Sequence, residues 1–309
     1  MKIVSIINYK GGVGKTTLTA NLGAYAASVG KRVLLIDLDP QTQLTFNFID
    51  PSKWQNRYEA SKTLRNYLKP ITSKIGNCVP LSELIITSKA GDFTVDVISS
   101  HLDLIENETE LSAMINGTST ATIAANSLDT YSHLRIDIQE LHNKYDLCLI
   151  DCPPNFYTLV KNALLASDCY IVPTKLDYLS TELGVKNLQR GITKFMQNYD
   201  DNRKILEYPT KYPPISLSLL GVVPTMVNFT SDKENRLQST QEQYRHKLLQ
   251  DGYKLFTLVR NNSIFGELQI GIPAVLTNPK TLKLFSNAKT KVVDELKQLG
   301  EEFLKAVKI

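Results

Sequence analysis

The sequence predicts an α/β fold: an open, mostly parallel, twisted sheet with helices on both faces. Short apolar, β-branched runs recur at 2–8, 32–39, 146–154, 168–174 and 215–225. Segments of helical spacing lie between them. A glycine-rich turn joins the first run to the first helical segment, so 2–39 reads as strand, turn, helix, strand. That is a βαβ unit, so these strands are expected to be parallel.

In chain order, "KIVSIIN" (2–8) is a buried strand. "TTLTANLGAYAASVG" then places Leu18, Leu22, Tyr25, Ala26 and Val29 at helical spacing, and Gly30 closes the helix. "RVLLIDLD" (32–39) is the second strand. The stretch 50–130 is weakly periodic; only "DFTVDVISS" (92–100) reads as a strand. Short helices and loops at the sheet edge are expected around it, including "NGTSTATIAANS" (116–127). The regular pattern resumes with a helix over 134–145, a strand in "DLCLIDCPP" (146–154) and a strand in "DCYIVPT" (168–174). A helix over 179–198, a strand over 215–225 and a charged helix over 235–250 follow. "YKLFTLV" (253–259) is expected as the last strand and 285–307 as a terminal helix. Alternation of this kind gives helices on both faces of a parallel sheet. One domain over 1–309 is expected, with no DNA-binding domain appended before the first strand.

The 309 residues are 42% hydrophobic and 21% charged, with a net charge of +4. A pI of about 8.7 is compatible with a polyanionic partner without requiring one. The first residues lack a signal-peptide core, and no run approaches the length of a membrane span. Cys78, Cys148, Cys152 and Cys169 form no C-x-x-C pair. Reduced thiols in a cytoplasmic protein are expected.

"NYKGGVGKTT" (8–17) departs from the G-x-x-x-x-G-K-[ST] phosphate loop, because Tyr9 stands where a glycine belongs. The glycines are Gly11, Gly12 and Gly14, around Val13, and a second lysine, Lys10, stands at the loop entrance. Between a strand and a helix, such a loop turns backbone N–H groups toward phosphate oxygens, and the helix terminus adds positive charge. Lys15 can reach the β and γ phosphates, Thr16 can ligate Mg²⁺, and Thr17 offers a donor to the α-phosphate. Asp151 ends an apolar strand, where a carboxylate holds Mg²⁺ directly or through water. Asp37 and Asp39 share parity on the second strand. One suits a metal-linked water network and the other water activation; spacing leaves open which does which.

"KGGVGKTT", "LLIDLDPQ" and "YDLCLIDCPP" resemble the deviant Walker A, switch I and Walker B/switch II segments of ParA/Soj partition ATPases, within the ParA/MinD superfamily of P-loop NTPases. Weaker similarity runs through "IVPT" (171–174), "GVVPTMVN" (221–228) and "GIPAVL" (271–276). The resemblance implies that Lys10 reaches a partner subunit's nucleotide, Lys15 binds phosphate in cis, Thr16 holds Mg²⁺, Asp39 positions the hydrolytic water and Asp151 is the Walker B acid. It implies ATP and Mg²⁺ as cofactors and an ATP-sandwich homodimer whose hydrolysis is weak unless stimulated. It also implies non-specific DNA binding, a nucleoid-associated location, a ParB-like centromere-binding adaptor, and plasmid or chromosome partition. Met226 and Asn228, after the 215–225 strand, are by resemblance candidates for the adenine.

DNA contact requires cations arrayed toward phosphates. Candidates are Lys233, Arg236, Lys247 and Arg260, with Arg245, Lys254, Lys280 and Lys283 nearby. The family's R-N-x-R pattern is incomplete, since "VRNNSIFGELQIGIP" carries Ser263 at the second arginine. A membrane-cycling MinD-like ATPase, or a relative that positions protein assemblies, is the alternative. The tail "KVVDELKQLGEEFLKAVKI" has an apolar stripe of Val293, Leu296, Leu299, Phe303 and Val307. Its polar face carries Asp294, Glu295, Glu301 and Glu302, so a final core helix is expected rather than a basic membrane helix. The iron–sulfur branches need paired cysteines, and the tyrosine-kinase branch a tyrosine cluster in the tail; neither pattern is present in this sequence.

Overall fold

The computed structural model describes residues 1–74, 77–230, 236–262, 273–276 and 287–309, with side chains from 290 onward in the last stretch. Eight strands form one sheet among them: β1 (Lys2–Ile6), β2 (Val33–Asp37), β3 (Ile86–Ala90), β4 (Phe93–Ile98), β5 (Leu147–Asp151), β6 (Cys169–Thr174), β7 (Ser218–Val227) and β8 (Val259–Arg260). Their spatial order is β3-β4-β2-β5-β1-β6-β7-β8. The β3–β4 hairpin at one edge is antiparallel and the other pairs are parallel. This is the open, mostly parallel sheet that the sequence predicts.

Each central strand is apolar on both sides because both faces are covered. On β2, Val33 and Leu35 face one core while Leu34 and Ile36 face the other; on β5, Leu147 and Leu149 oppose Cys148 and Ile150 in the same way. The first core packs under α1 (Lys15–Ser28) and α10 (Asn287–Val307). Gly23 lets α1 approach the sheet closely: a Cβ there would lie 2.7 Å from Leu35 Cδ2. The second core packs under α6 (Thr120–Asp137), α7 (Thr158–Ala166) and α8 (Lys186–Ile205), the last preceded by a π-helical turn at Leu179–Val185.

The apolar stripe of α10 is core, as its acidic polar face suggests. Val293, Leu296, Leu299, Phe303 and Val307 are all buried. At about 1.5–3 kcal/mol per large side chain, that burial holds the helix to α1 and to the β8 edge of the sheet. Among the described residues no helix is long and apolar enough to cross a membrane.

Three elements differ from the sequence reading. The helix expected at 134–145 begins at Thr120, capped by Ser119 Oγ accepting from Thr122 N at 3.1 Å, and ends in a 3₁₀ turn at Ile138–Leu141. Its inward face carries Ser127, Thr130 and Ser132 beside Ala124, Leu128 and Leu134, so apolar periodicity is weak there. Strand β3 lacks any such signal, because its middle residues Thr87, Ser88 and Lys89 are not buried. The last strand shrinks to Val259–Arg260, with only an isolated Val222–Leu255 bridge upstream. Shorter helices lie within 43–113: α2 (Gln43–Phe48), α3 (Pro51–Arg57), α4 (Leu64–Ser73) and α5 (Leu104–Ala113). The charged helix is α9 (Ser239–Gln250).

Candidate nucleotide site

Register brings the site together. Asp37 and Asp151 are Cα partners at the carboxyl ends of β2 and β5, and Asp151 also pairs with Ile6 of β1. The loop from Asn8 to Gly14 leaves β1 at that edge, where open α/β sheets bind ligands. Gly12 and Gly14 hold φ of 65° and 84°, the left-handed region that glycine enters without strain. Among the described residues the amides of Gly11, Gly12 and Gly14 make no hydrogen bond within the protein. Helix α1 has no acidic residue in its first turn and no side-chain cap, so its positive end is left for an anion.

Lys15 is buried, and its Nζ donates to the Lys10 carbonyl at 3.2 Å across the loop. Burial lowers its pKa, opposed by the Asp151 and Asp39 charges. Thr16 Oγ1 donates to Asp151 Oδ2 at 2.7 Å, and Thr19 Oγ1 to Asp151 Oδ1 at 3.1 Å. Asp37 Oδ2 accepts from the amide and hydroxyl of Thr45 at 2.8 and 2.7 Å; its Oδ1 accepts from Asp39 N at 3.1 Å. Both carboxylates are fully buried. Burial first, with repulsion among the aspartates, raises both pKa values; the Thr hydrogen bonds, and Lys15 at Asp151, act the other way.

Two buried carboxylates facing one position beside a hydroxyl form a donor set that calls for a cation. Mg²⁺ suits it, being held by one or two carboxylates together with phosphate and water rather than by a protein cage. Correspondingly, no group of three or more His, Cys, Asp or Glu forms a ready-made cage among the described residues.

Lys10 is placed on the loop's rim. Its Nζ donates to Ser180 Oγ at 2.7 Å and lies 3.3 Å from Asp177 Oδ2, and its side chain is 37% exposed. Tyr9, the residue in the missing glycine's place, packs edge-on against Phe156 with ring centroids 5.5 Å apart. Gly191 of α8 sits directly against the Tyr9 hydroxyl. Position 9 therefore braces the loop instead of lining it. Asp39 lies just past β2, its Oδ1 accepting from Gln41 N at 3.0 Å and its carbonyl accepting from Ser100 Oγ at 2.7 Å.

A cavity of about 150 Å³ adjoins the loop, lined by Gly14, Thr17, Leu18, Met226, Arg260 and Asn261 among others. Met226 enters it with a φ of 53°. Asn228 lies outside its lining; its backbone N–H donates to Gln241 Oε1 at 2.8 Å.

These residues form a phosphate loop facing two buried aspartates, with a second lysine on its rim. Residues 1–205 match the model of a family described as an AAA domain. Over 237 residues the chain is 32% identical to the chromosome partitioning protein ParA of Caulobacter vibrioides, covering 77% of this chain and 72% of that protein. The chain belongs to the ParA-type ATPase family.

Within that family it is 27% identical over 282 residues to the sporulation initiation inhibitor protein Soj of Bacillus subtilis, covering 91% of this chain and 92% of Soj. An uncharacterised protein of Mycobacterium tuberculosis is 32% identical over 179 residues, 58% of this chain; the match spans 48% of that relative's length, about half. Among solved structures, cobyrinic acid a,c-diamide synthase of Mycobacterium smegmatis, with bound ATP analogue and magnesium, matches at a TM-score of 0.64 and 23% identity, covering 100% of this chain and 96% of that one. The ATP complex of Cyanothece McdA matches at 0.65 and 19%, covering 100% and 97%. A plasmid partition protein of Borrelia burgdorferi matches at 0.62 and 22%, covering 99% of each chain. At these identities the likeness is one of fold.

The expected DNA contacts fare differently. Arg260 is paired with Glu295 at 2.6 Å, lies over the Phe229 ring and is 12% exposed, so it is not an open phosphate contact. The sequence offered no sign of that pair, because Glu295 lies 35 residues away on α10. Lys247 pairs with Glu182 at 2.7 Å but stays 49% exposed. Arg236 joins Thr230 through its backbone amide and carbonyl. Lys233 lies outside the described residues, as do Lys280 and Lys283.

Asp177, Ser180, Thr19, Thr45, Ser100 and Thr225 are site-forming residues that sequence reasoning missed. Thr225 Oγ1 donates to the Val13 carbonyl at 2.7 Å, holding the loop from the far side. Only Thr19 left a trace: a polar residue one turn after Thr16 on a helix whose other inward residues are mostly apolar.

Proposed function

We propose that the protein is a Mg²⁺-dependent ATPase that forms an ATP-sandwich dimer, binds DNA non-specifically in that state and positions DNA cargo, a plasmid or chromosome. The observation that carries this reading is the pairing of Thr16 with Asp151 beside Asp37, under a loop whose rim carries Lys10. Bound Mg²⁺ would neutralise the phosphates and order water beside them.

The chain's own residues do the rest. The amides of Gly11 to Gly14 and the Lys15 ammonium cradle the phosphates. Thr16, Asp37 and Asp151 hold the metal position, directly or through water. Asp39, anchored at its carbonyl by Ser100, orients the attacking water. Met226 and the cavity beside Thr17 take the adenine. Lys10 crosses to the partner's nucleotide, so the dimer lasts as long as the γ-phosphate does. Without a stimulator, no further cation among the described residues completes the phosphate clamp, and turnover is slow. A ParB-like adaptor supplies the stimulus. DNA contact falls to the basic residues of the last third other than Arg260. Lys247 is among them, since its side chain stays half exposed beside Glu182 and its ammonium can also meet a phosphate. The protein is cytoplasmic and nucleoid-associated on this reading.

The test is Lys10→Ala. Binding of ATP to the monomer is expected to persist, while ATP-dependent dimerisation in sedimentation or light scattering disappears. A dimer equal to that of the unaltered chain would reject the cross-subunit role.

A further inference from the structure

The segment between Asp151 and α7, residues 152–157, is clamped at its far end by a residue outside the nucleotide site. Glu108 of α5 accepts the Thr158 amide at 2.5 Å and the Leu159 amide at 2.9 Å, one on each carboxylate oxygen. Ser112, one turn further along α5, pairs its hydroxyl with that of Thr158 at 2.8 Å. Helix α7 has no side-chain cap of its own; Tyr157 at its cap position supplies none. The carboxylate thus satisfies two orphan donors and complements the positive end of the helix dipole from another element.

The same stretch of chain also holds the Asp39 loop. Ser100, just after β4, donates its hydroxyl to the Asp39 carbonyl, and its amide to Thr45 Oγ1 at 3.2 Å. Thr45 in turn donates to Asp37. From Ser100 to Glu108 is eight residues, mostly the first turns of α5. One short, largely helical connector therefore fixes the loop after β2 and the loop after β5. The near part of the second loop is braced separately, by the Tyr9–Phe156 contact from the phosphate loop.

We infer that Glu108 is a positioning residue that holds the loop after Asp151 in register with the Asp39 loop, and so governs turnover rather than nucleotide affinity. Among the described residues its hydrogen-bond partners are Ser112, Thr158 and Leu159, and it does not line the cavity beside Thr17. This rests on the ATPase reading above. A displacement of about 1 Å in a reacting group costs on the order of 10²-fold in rate, whereas phosphate binding depends on the loop after β1, which Glu108 does not reach.

The test uses the full chain with Glu108→Ala and Glu108→Gln. The amide keeps the size and one acceptor oxygen but turns an N–H₂ toward the second amide. At saturating Mg·ATP, kcat is expected to fall about 10-fold or more in E108A and by less in E108Q, with KM and ATP affinity within about 2-fold. Hydrogen exchange at the Thr158 and Leu159 amides should quicken about 10-fold in E108A and less in E108Q, a readout independent of turnover. A purely structural cap would lower the thermal midpoint and leave kcat alone well below it. The inference is overturned if both variants keep kcat while the unaltered chain turns over, or if neither changes the exchange of those amides. Should E108A fail to fold, E108Q carries both measurements. An unaltered chain that hydrolyses no ATP defeats the ATPase reading instead, and the exchange arm still decides the clamp.

Discussion

Lys10 and Asp177 form an ion pair within one subunit, 3.3 Å between Nζ and Oδ2, with Ser180 Oγ 2.7 Å from the same nitrogen. A lysine that must reach another subunit's nucleotide has to leave these partners first. Both side chains are about two-fifths exposed, at 37% and 43%, so the pair is worth roughly 0–1 kcal/mol. Asp177→Asn is therefore expected to lower the ATP concentration for half-maximal dimerisation by at most about 5-fold, since 1.4 kcal/mol is tenfold. Titration of dimer against ATP by light scattering checks it. A requirement for more ATP would mean that the pair assists assembly.

Asp39 is half-buried beside the site, held by its carbonyl, and among the described residues its carboxylate accepts the Gln41 amide in the local turn. Its removal should leave the metal position and the phosphate loop intact. Asp39→Ala is expected to retain ATP binding and reduce hydrolysis by on the order of 10²-fold or more, the usual cost of losing a proton-handling group. The variant should accumulate as an ATP-bound dimer on a sizing column. Unchanged phosphate release would remove Asp39 from the reaction.

The sheet and the phosphate loop were legible because their signals are local: β-branched runs, a glycine-rich turn, and carboxylates at strand ends. Asp37 and Asp151 come from strands far apart in sequence, yet each announced its own edge position, and a parallel sheet makes neighbours of strand ends. What was hidden depends on tertiary contact. Thr45 and Ser100 look like ordinary loop residues until β4 is laid beside β2. Asp177 and Ser180 carry no motif of their own. Arg260 looked available because its partner, Glu295, lies 35 residues away, and the stripe that predicts a core helix does not say which loop the helix's polar face meets. Helix α6 is expected at 134–145 and begins instead at Thr120, because Ala124, Ser127, Thr130 and Ser132 on its buried face give little hydrophobic contrast beside Leu128 and Leu134.

The buried aspartates predict a pH dependence whose sign is fixed. Asp37 and Asp151 have raised folded-state pKa values, burial being the first cause for each. The folded state then keeps protons that the unfolded state has released. Their contribution to stability is full below the ordinary carboxylate pKa of about 4 and is lost as pH rises through the raised values toward 7 to 8. The metal-free protein should melt at a lower temperature at pH 8 than at pH 5.5, and Mg²⁺ should recover more of the loss at pH 8. Asp37→Asn should flatten the dependence. Calorimetry with chelator and with Mg²⁺ tests this; a midpoint that rises with pH in chelator would contradict it.

Tyr9 and Gly191 give the last prediction, and opposing magnitudes decide its sign. Glycine inside a helix costs about 1 kcal/mol relative to alanine, so Gly191→Ala alone would stabilise α8 by that amount. The new methyl would strike the Tyr9 hydroxyl, however, and Phe156 packs against the same ring. Overpacking of this kind costs about 1–3 kcal/mol, enough to cancel or reverse the gain. Gly191→Ala should therefore be neutral to destabilising by about 2 kcal/mol, on these same two terms. Removing the hydroxyl in Tyr9→Phe makes room for the methyl, so in that background Gly191→Ala should stabilise by up to about 1 kcal/mol. Urea unfolding of the four proteins gives the coupling directly. An equal gain from Gly191→Ala in both backgrounds would show that the ring yields freely, and the brace between the phosphate loop, Phe156 and α8 would then have no stiffness to contribute.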